Sequence, residues 1–150
     1  MAEEVHALKE KSEHVDEVIS KVQEKVDESD EVSKDKEDCI FCKIVRGEIP
    51  CERVYEDKNF IGFLDINPKA EGHTLIVSKN HYKTMLDVAD TLGNELVAAI
   101  KQVGLKLLSD KKGEGLNLAV NIGEASGQLV PHFHAHIVPR KKGDGLNAIA

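Results

Sequence analysis

The sequence predicts an α+β protein with a mostly antiparallel sheet and one long helix, preceded by an N-terminal helical extension. Several short segments of strand-forming residues follow one another with turn residues between them, which is typical of a meander of strands. One longer segment among them carries apolar residues at intervals of three and four, which predicts a helix. Because the strands do not alternate regularly with helices, an antiparallel sheet is favoured over a parallel one.

The long helix is predicted over Asp87–Leu108, where Leu92, Leu96 and Ile100 begin the apolar repeat. Asp90 is the expected N-cap, because its side chain can accept from the first free backbone N–H groups. The predicted strands, in chain order, are Arg53–Glu56, Asn59–Asp65, His73–Ser78, Leu116–Ile122 and Phe133–Pro139.

Charge divides the chain near Asp38. Residues 1–38 hold 14 acidic and 6 basic side chains, a net of −8, whereas residues 39–150 hold 13 acidic and 14 basic ones. We therefore expect an acidic extension and linker at 1–38 and a domain at 39–150. The total net charge of −7 argues against a general nucleic-acid binder. With no apolar run near the ~20 residues of a membrane helix and no signal-peptide core, a cytoplasmic protein is expected.

The extension carries a short heptad seam, which predicts a helix from about residue 3 to residue 27. This helix either packs on a protein partner or on its own domain, or it is a marginal, isolated amphipathic helix. Residues 29–37 are predicted as linker. The seam consists of Val5, Leu8, Val15, Ile19, Val22 and Val26.

Three histidines alternate with apolar residues near the C-terminus: His132, His134 and His136. Alternate residues of a strand point to one face, so the three imidazoles share a face while Phe133 and Ala135 point to the other. Such a row can bind a metal ion, or it can present one nucleophilic nitrogen flanked by proton donors. The spacing alone leaves both chemistries open and favours the metal somewhat.

The residues before the three histidines bear on the choice between metal binding and nucleophilic catalysis. Residues 123–128 (GEASGQ) form a small-residue loop that can bring backbone N–H groups close to a phosphate. Over residues 39–142 the chain resembles the histidine-triad (HIT) superfamily, in its Hint branch. The motifs that carry the resemblance are CIFCKI at 39–44, FLDI at 63–66, GHTL at 72–75, Asn121, Gly127-Gln128 and the triad.

The resemblance implies a nucleotide hydrolase or transferase that cleaves a nucleoside monophosphate ester, amide or anhydride at the α-phosphate. His134 would be the nucleophile and would form a nucleotidyl-histidine that water resolves. His132 and His136 flank it, and His73 matches a fourth active-site histidine. His136 and Gln128 would contact phosphate oxygens as charge develops.

The resemblance also implies a purine nucleotide site and a homodimer. Asp65 would accept from the ribose hydroxyls, and Asn121 and Gly127 would border the phosphates. Leu129 stands where phosphoramidase members have a small hydroxyl residue, and losing that contact costs ~1–3 kcal/mol, so weak phosphoramidase activity is expected. The apolar purine slot would consist of Ile40, Phe41, Ile44, Ile49, Phe63 and Ile66.

Two of the three cysteines, Cys39 and Cys42, form a C-x-x-C motif. Zinc favours Cys and His, and a structural zinc needs four ligands. By resemblance, His81 and His132 complete the set, and His132 then positions its neighbours rather than donating a proton. The alternative is a pair of reduced thiols without a metal.

Two other functions stay open on the sequence. One is cleavage of dinucleoside polyphosphates, although the C-x-x-C motif and the His73 strand favour the Hint branch. The other is a nucleotide-binding regulatory or scaffold protein, in which catalysis is incidental and the N-terminal helix binds a protein partner.

Overall fold

A computed structural model of the chain describes residues 36–147. The helix predicted over about residues 3–27, its heptad seam and most of the predicted linker lie outside this part. None of the helices in residues 36–147 is long and apolar enough to cross a membrane.

Within the described residues, one antiparallel sheet has the strand order β1-β2-β3-β5-β4. The predicted α+β class is thereby confirmed. β3 and β5 lie at the centre of the sheet, so the histidine-bearing strand is paired on both sides. The strands are β1 (Arg53–Glu56), β2 (Phe60–Leu64), β3 (Thr74–Ser78), β4 (Gly115–Ala119) and β5 (His134–Arg140).

Two helices whose bounds lie within residues 36–147 accompany the sheet, α1 (Ile40–Val45) and α2 (Gly93–Ser109). Residues 36–38 are helical as well, so the linker predicted over 29–37 is wrong at its last two residues. α1 was not predicted, since the sequence indicated only a turn there. Cys39 is its N-cap, and the Cys39 sulfur accepts from the backbone N–H of Cys42. The cysteine spacing therefore belongs to the first turn of a helix.

The predicted start of the long helix is wrong by six residues. Two single 3₁₀ turns, Met85–Asp87 and Asp90–Leu92, precede α2. Val88 and Ala89 between them are extended, with ψ of 131° and 133°, so helical geometry cannot continue through them. Asp90 consequently begins a 3₁₀ turn and does not cap α2.

β4 also ends earlier than predicted, at Ala119 instead of Ile122. Its ladder with β5 runs from Gly115 opposite Arg140 to Ala119 opposite His136. The chain then leaves the sheet for a loop in which Gly123 and Gly127 have φ of 87° and 99°, a region that favours glycine.

Each face of the sheet carries its own core. Because side chains alternate along β2 and β3, Phe60 and Ile76 enter the core beneath α2, whereas Ile61 and Val77 enter the core beneath α1. Truncating a fully buried aliphatic residue costs ~2–5 kcal/mol, so these cores fix the strands that carry the candidate site. Gly104 brings α2 close to β4, since a Cβ there would lie 2.9 Å from Leu116 Cδ1.

Candidate active site and metal cluster

β5 and the residues just before it place the histidines as a row. Ala135 and Ile137 enter the core beneath α2, so His134 and His136 face the other side of the sheet. His134 lies opposite Val77 and His136 opposite Leu75 on the neighbouring β3. The alternation predicted from the sequence is therefore the geometry of the strand for His134 and His136, whereas His132 lies before the start of β5.

The tautomer of His134 follows from one hydrogen bond. Its Nδ1 lies 2.8 Å from the main-chain oxygen of His132. A carbonyl can only accept, so Nδ1 carries the proton and Nε2 keeps an unprotonated lone pair. Burial lowers the pKa of His134, which favours the neutral imidazole. His134 thus has the form that a nucleophilic histidine requires.

His73 and His136 form a second hydrogen-bonded pair. The backbone N–H of Lys69 donates to Nδ1 of His73 over 3.1 Å, so the ring proton of His73 resides on Nε2. That Nε2 donates to Nδ1 of His136 over 3.0 Å. His136 therefore carries its proton on Nε2, as a donor for an anionic ligand.

The surroundings of both rings favour the neutral imidazole. Burial lowers the pKa of His73 and, with the neighbouring His134 and His73, lowers the pKa of His136 to about 4. The Asp65 carboxylate opposes this shift and lies 3.5 Å from Nε2 of His73. The pair thus supplies a neutral donor beside the nucleophile.

Asp65, His73 and His136 are close enough together to suggest a cation site. The protonation pattern argues against it. Nε2 of His73 carries a proton because Nδ1 is already an acceptor, and a protonated nitrogen has no lone pair for a metal. We therefore interpret this group as a hydrogen-bonded relay.

A cavity of about 440 Å³ opens in front of His134 and His136. One wall is apolar and includes every residue predicted for the purine slot. Asp65, Asn121 and Gly127 line the same cavity. The apolar wall consists of Ile40, Phe41, Ile44, Ile49, Phe63 and Ile66, together with Pro50, Cys51 and Leu75.

Gln128 has a different environment from the other predicted phosphate contacts. It is buried and is not among the described residues that line the cavity. Its Oε1 accepts from Gly123 N–H over 2.8 Å, and its Nε2 donates to the carbonyls of Lys83 and Val130 over 2.7 and 3.0 Å. A contact with phosphate through this amide, which stays a prediction, requires that one of these bonds be released.

Leu129 follows Gln128 and lines the same cavity. Its side chain is 91% exposed, an unusual state for a large apolar residue next to buried histidines. Lys69, a cation of the lining, was not predicted from the sequence. Lys69 contacts His73 through its backbone N–H, so the residue type at this position gives no indication of the contact.

The second cluster consists of Cys39, Cys42, His81 and His132. His132 Nδ1 lies 3.3 Å from the Cys39 sulfur, 3.5 Å from the Cys42 sulfur and 3.2 Å from His81 Nδ1. His81 Nδ1 lies 3.2 Å from the Cys42 sulfur. A tetrahedral zinc with two nitrogen and two sulfur ligands needs ligand atoms about 3.3–3.8 Å apart. The observed separations of 3.2–3.5 Å lie at the short end of this range, and the donor set fits zinc.

Two further features agree with a metal at this cluster. Nε2 of His132 donates to the carbonyl of Ser78 over 2.6 Å, so the lone pair of Nδ1 faces the cysteines. Burial and the neighbouring Cys39 raise the pKa of the Cys42 thiol to about 12, so a thiolate here needs a compensating cation. The structure thus brings together all four predicted ligands.

Comparison with known proteins places this architecture in a family. The HIT domain matches residues 46–143. The chain therefore belongs to the HIT domain family, and the resemblance proposed from the sequence is confirmed.

Two curated relatives and one solved structure are informative. The chain is 39% identical to adenylylsulfatase HINT3 of Arabidopsis thaliana, over 73% of this chain and 55% of that one. It is 37% identical to adenosine 5′-monophosphoramidase HNT1 of Candida albicans, over 69% and 70%. A zinc-bound histidine triad family protein from Mycobacterium smegmatis superposes with a TM-score of 0.70 at 38% identity, over 75% of this chain and 81% of that one.

Proposed function

We propose that this protein is a nucleotide hydrolase or transferase that acts at the α-phosphate through a nucleotidyl-His134 intermediate. The observation that carries the proposal is the 2.8 Å bond from His134 Nδ1 to the His132 carbonyl. It leaves Nε2 unprotonated at the cavity that also contains Asp65 and the apolar wall. The relatives named as an adenylylsulfatase and an adenosine 5′-monophosphoramidase support an adenosine nucleotide as substrate.

In the first step, His134 Nε2 bonds to the α-phosphorus while the bond from phosphorus to the leaving group breaks. The electron pair stays with the leaving group, which takes up a proton at the open rim. His136 donates its Nε2–H to a phosphate oxygen as negative charge develops. The His134 ring becomes cationic, and the His132 carbonyl stabilises its Nδ1–H.

In the second step, water attacks the phosphorus and the bond to Nε2 breaks. The products are a nucleoside monophosphate, the neutral His134 ring and one proton released to solvent. Throughout, the purine lies on the apolar wall and Asp65 accepts from the ribose hydroxyls. Asn121 and Gly127, which also line the cavity, border the phosphates in this proposal.

Leu129 affects which leaving groups suit the site. Its exposed side chain lines the cavity but cannot donate a hydrogen bond to a departing amine. We therefore expect slow phosphoramidate cleavage relative to substrates whose leaving group needs no such donor. A missing hydrogen bond of ~1–3 kcal/mol corresponds to roughly a 5- to 150-fold loss of rate.

We further propose that Cys39, Cys42, His81 and His132 hold a structural zinc ion. Zinc there would cross-link α1, the segment after β3 and the residues before β5, and it would contact neither substrate nor the reacting atoms. Ligand separations of 3.2–3.5 Å and the zinc-bound relative support this assignment.

The chain is also proposed to be a cytoplasmic homodimer. Val97, Leu105 and Leu108 on α2 and Leu118 on β4 are large apolar residues that are 38–65% exposed. β4 is an edge strand among the described residues, so its outer N–H and C=O groups can pair with another chain. Light scattering after gel filtration measures the mass of the assembly. The predicted protein partner of the N-terminal helix stays a prediction.

A panel of substrates tests the proposed activity. Adenosine and guanosine phosphoramidates, adenylyl sulfate, acyl adenylates and dinucleoside polyphosphates are compared by kcat/KM. We expect turnover of at least one mononucleotide class, and loss of it in His134→Ala with nucleotide binding retained. Ile137→Val, on the opposite face of β5, is the matched control and should keep its activity.

The other functions are outcomes of the same panel. Preferred cleavage of dinucleoside polyphosphates would identify that activity instead. Nucleotide binding without turnover of any class would indicate a regulatory or scaffold protein. Turnover by His134→Ala within about tenfold of the wild type, a barrier change of only ~1.4 kcal/mol, would contradict the proposed nucleophile.

A further inference from the structure

His132 belongs to both clusters, through different atoms. Its side chain joins the cysteines and His81 through Nδ1, and donates to the Ser78 carbonyl through Nε2. Its main-chain oxygen accepts the proton of His134 Nδ1 over 2.8 Å. The position of this carbonyl therefore decides which nitrogen of His134 is free.

The backbone around His132 is not fixed by the sheet. β5 begins at His134, so His132 lies outside the ladder. Its N–H donates only locally, to Val130 at 2.8 Å, and the next N–H, of Phe133, donates to Tyr82 at 2.6 Å. The Phe133 N–H lies in the same planar peptide unit as the His132 carbonyl, so its bond to Tyr82, next to His81, is one attachment of this carbonyl. The buried side chain of His132 is the second attachment, to α1 and to the end of β3.

A second connection runs through α1. Cys39 caps this helix and Cys42 lies in its first turn. Phe41 between them packs its ring edge-to-face on His134, with centroids 5.1 Å apart, and on His132 at 5.8 Å. The cysteines that belong to the metal cluster therefore also hold a ring that contacts the nucleophile.

We infer that the cluster of Cys39, Cys42, His81 and His132 is a positioning device for the nucleophile. By holding the His132 side chain, it keeps the His132 carbonyl where it fixes the tautomer and direction of His134. The cluster therefore affects the reaction, although it contacts neither substrate nor reacting atoms. The kinetic part of this inference rests on the proposed function, whereas the tautomer of His134 does not.

His81 is the most suitable residue for a test, because it lies outside α1 and outside the cavity lining. His81→Ala removes one ligand but leaves Phe41 and the helix cap in place. We expect kcat to fall about 10- to 100-fold, as is typical when an outer partner of a functional histidine is lost, with KM within threefold. His81→Cys keeps a zinc-binding donor and should restore most of kcat.

The independent readout is the tautomer of His134, measured by long-range ¹H–¹⁵N NMR of the imidazole rings in the full chain. Zinc-loaded wild type should show one tautomer, protonated on Nδ1. His81→Ala, and wild type stripped of zinc by a chelator, should show a mixture. Adding zinc(II) back to the stripped protein should restore the single form.

Leu96→Ala is the control for general loss of stability, because Leu96 is a buried residue of α2 and belongs to the core on the other face of the sheet from Cys39 and Cys42. It should lower the melting temperature while kcat and the His134 tautomer stay unchanged. An unchanged tautomer in His81→Ala, or the same change in Leu96→Ala, would overturn the inference. If wild type cleaves no nucleotide, the proposed function fails, but the NMR comparison still decides the role of the cluster.

Discussion

At the scale of single residues, the site depends on which nitrogen of each imidazole carries a proton. Main-chain groups decide this for three rings: the His132 carbonyl for His134, the Lys69 N–H for His73 and the Ser78 carbonyl for His132. The His73 ring decides it for His136. As a result, His134 presents a lone pair to the cavity, His136 presents an N–H, and His132 presents a lone pair to the cysteines. Chemically identical side chains thereby acquire different roles.

Gln128 gives a prediction about stability. Gln128→Glu keeps the acceptor for Gly123 N–H but removes both N–H groups that donate to the Lys83 and Val130 carbonyls. The Val130 carbonyl still accepts from His132 N–H, so only the Lys83 carbonyl loses its described donor. An acceptor left unsatisfied costs ~1–3 kcal/mol, and the free energy of unfolding should fall by about that amount. Urea unfolding at neutral pH measures it, and an unchanged midpoint would show that this amide does not hold the loop.

His136 gives a prediction about pH. Its pKa is lowered in the folded protein from 6.5 to about 4. As pH falls below 6.5 the unfolded chain binds a proton that the folded chain does not, so stability present above pH 6.5 is lost progressively towards pH 4. His136→Asn should show a shallower decline in the free energy of unfolding over this range. Equal slopes in both proteins would contradict the assignment.

At the scale of elements, α1 and β5 are held by groups that also form the site. α1 begins at a cysteine cap and packs Phe41 against His132 and His134. β5 carries His134 and His136 among its first three residues. The loop after β4 is closed by Gln128 on Gly123. Stability of these elements and geometry of the site are therefore coupled.

Zinc content tests whether Cys39, the N-cap of α1, is a metal ligand. Protein purified without chelators should carry about one zinc per chain, and Cys39→Ser should lose it. Since a ligand bound only by the folded state stabilises that state, the melting temperature should fall in the variant. Cys51→Ser, at the third cysteine, should keep its zinc. Metal-free wild type by elemental analysis would rule out the zinc site.

At the scale of the whole molecule, every residue assigned to the site or the metal cluster lies between Cys39 and His136. The acidic extension contributes to neither among the described residues. Its charge of −8 would repel an anionic nucleotide if it lay near the cavity. The division between an extension at 1–38 and a domain at 39–150 stays a prediction.

Deleting residues 1–37 tests this division. Turnover of the best mononucleotide substrate should stay within about threefold, under ~0.7 kcal/mol. Both kcat and KM are measured, at equal zinc content, for the full chain and the truncated one. A tenfold change in either constant would show that the extension belongs to the active site.

Much of this architecture could be predicted because it depends on local periodicity. The alternation of His132, His134 and His136 with apolar residues indicated both the strand and its polar face. The start of α2 could not be predicted, because Asp90 is a good cap by residue type and the extended backbone at Val88 and Ala89 has no sequence signature. The hydrogen bond from the Gln128 side chain to the Lys83 carbonyl could not be predicted either. It joins a side chain to a main-chain oxygen far away in the sequence, and the residue types do not indicate such a contact.

The intermediate on His134 is the central claim, and chemical quench of a single turnover tests it most directly. Full-length protein is mixed with substoichiometric nucleotide substrate, quenched in alkali because a phosphorus–nitrogen bond to histidine is acid-labile, and mapped by peptide mass spectrometry. We predict that one nucleotidyl group appears on His134 before product, decays as product forms, and is absent from His134→Ala. Product formation with no such species, or a nucleotidyl group on another residue, would contradict the account.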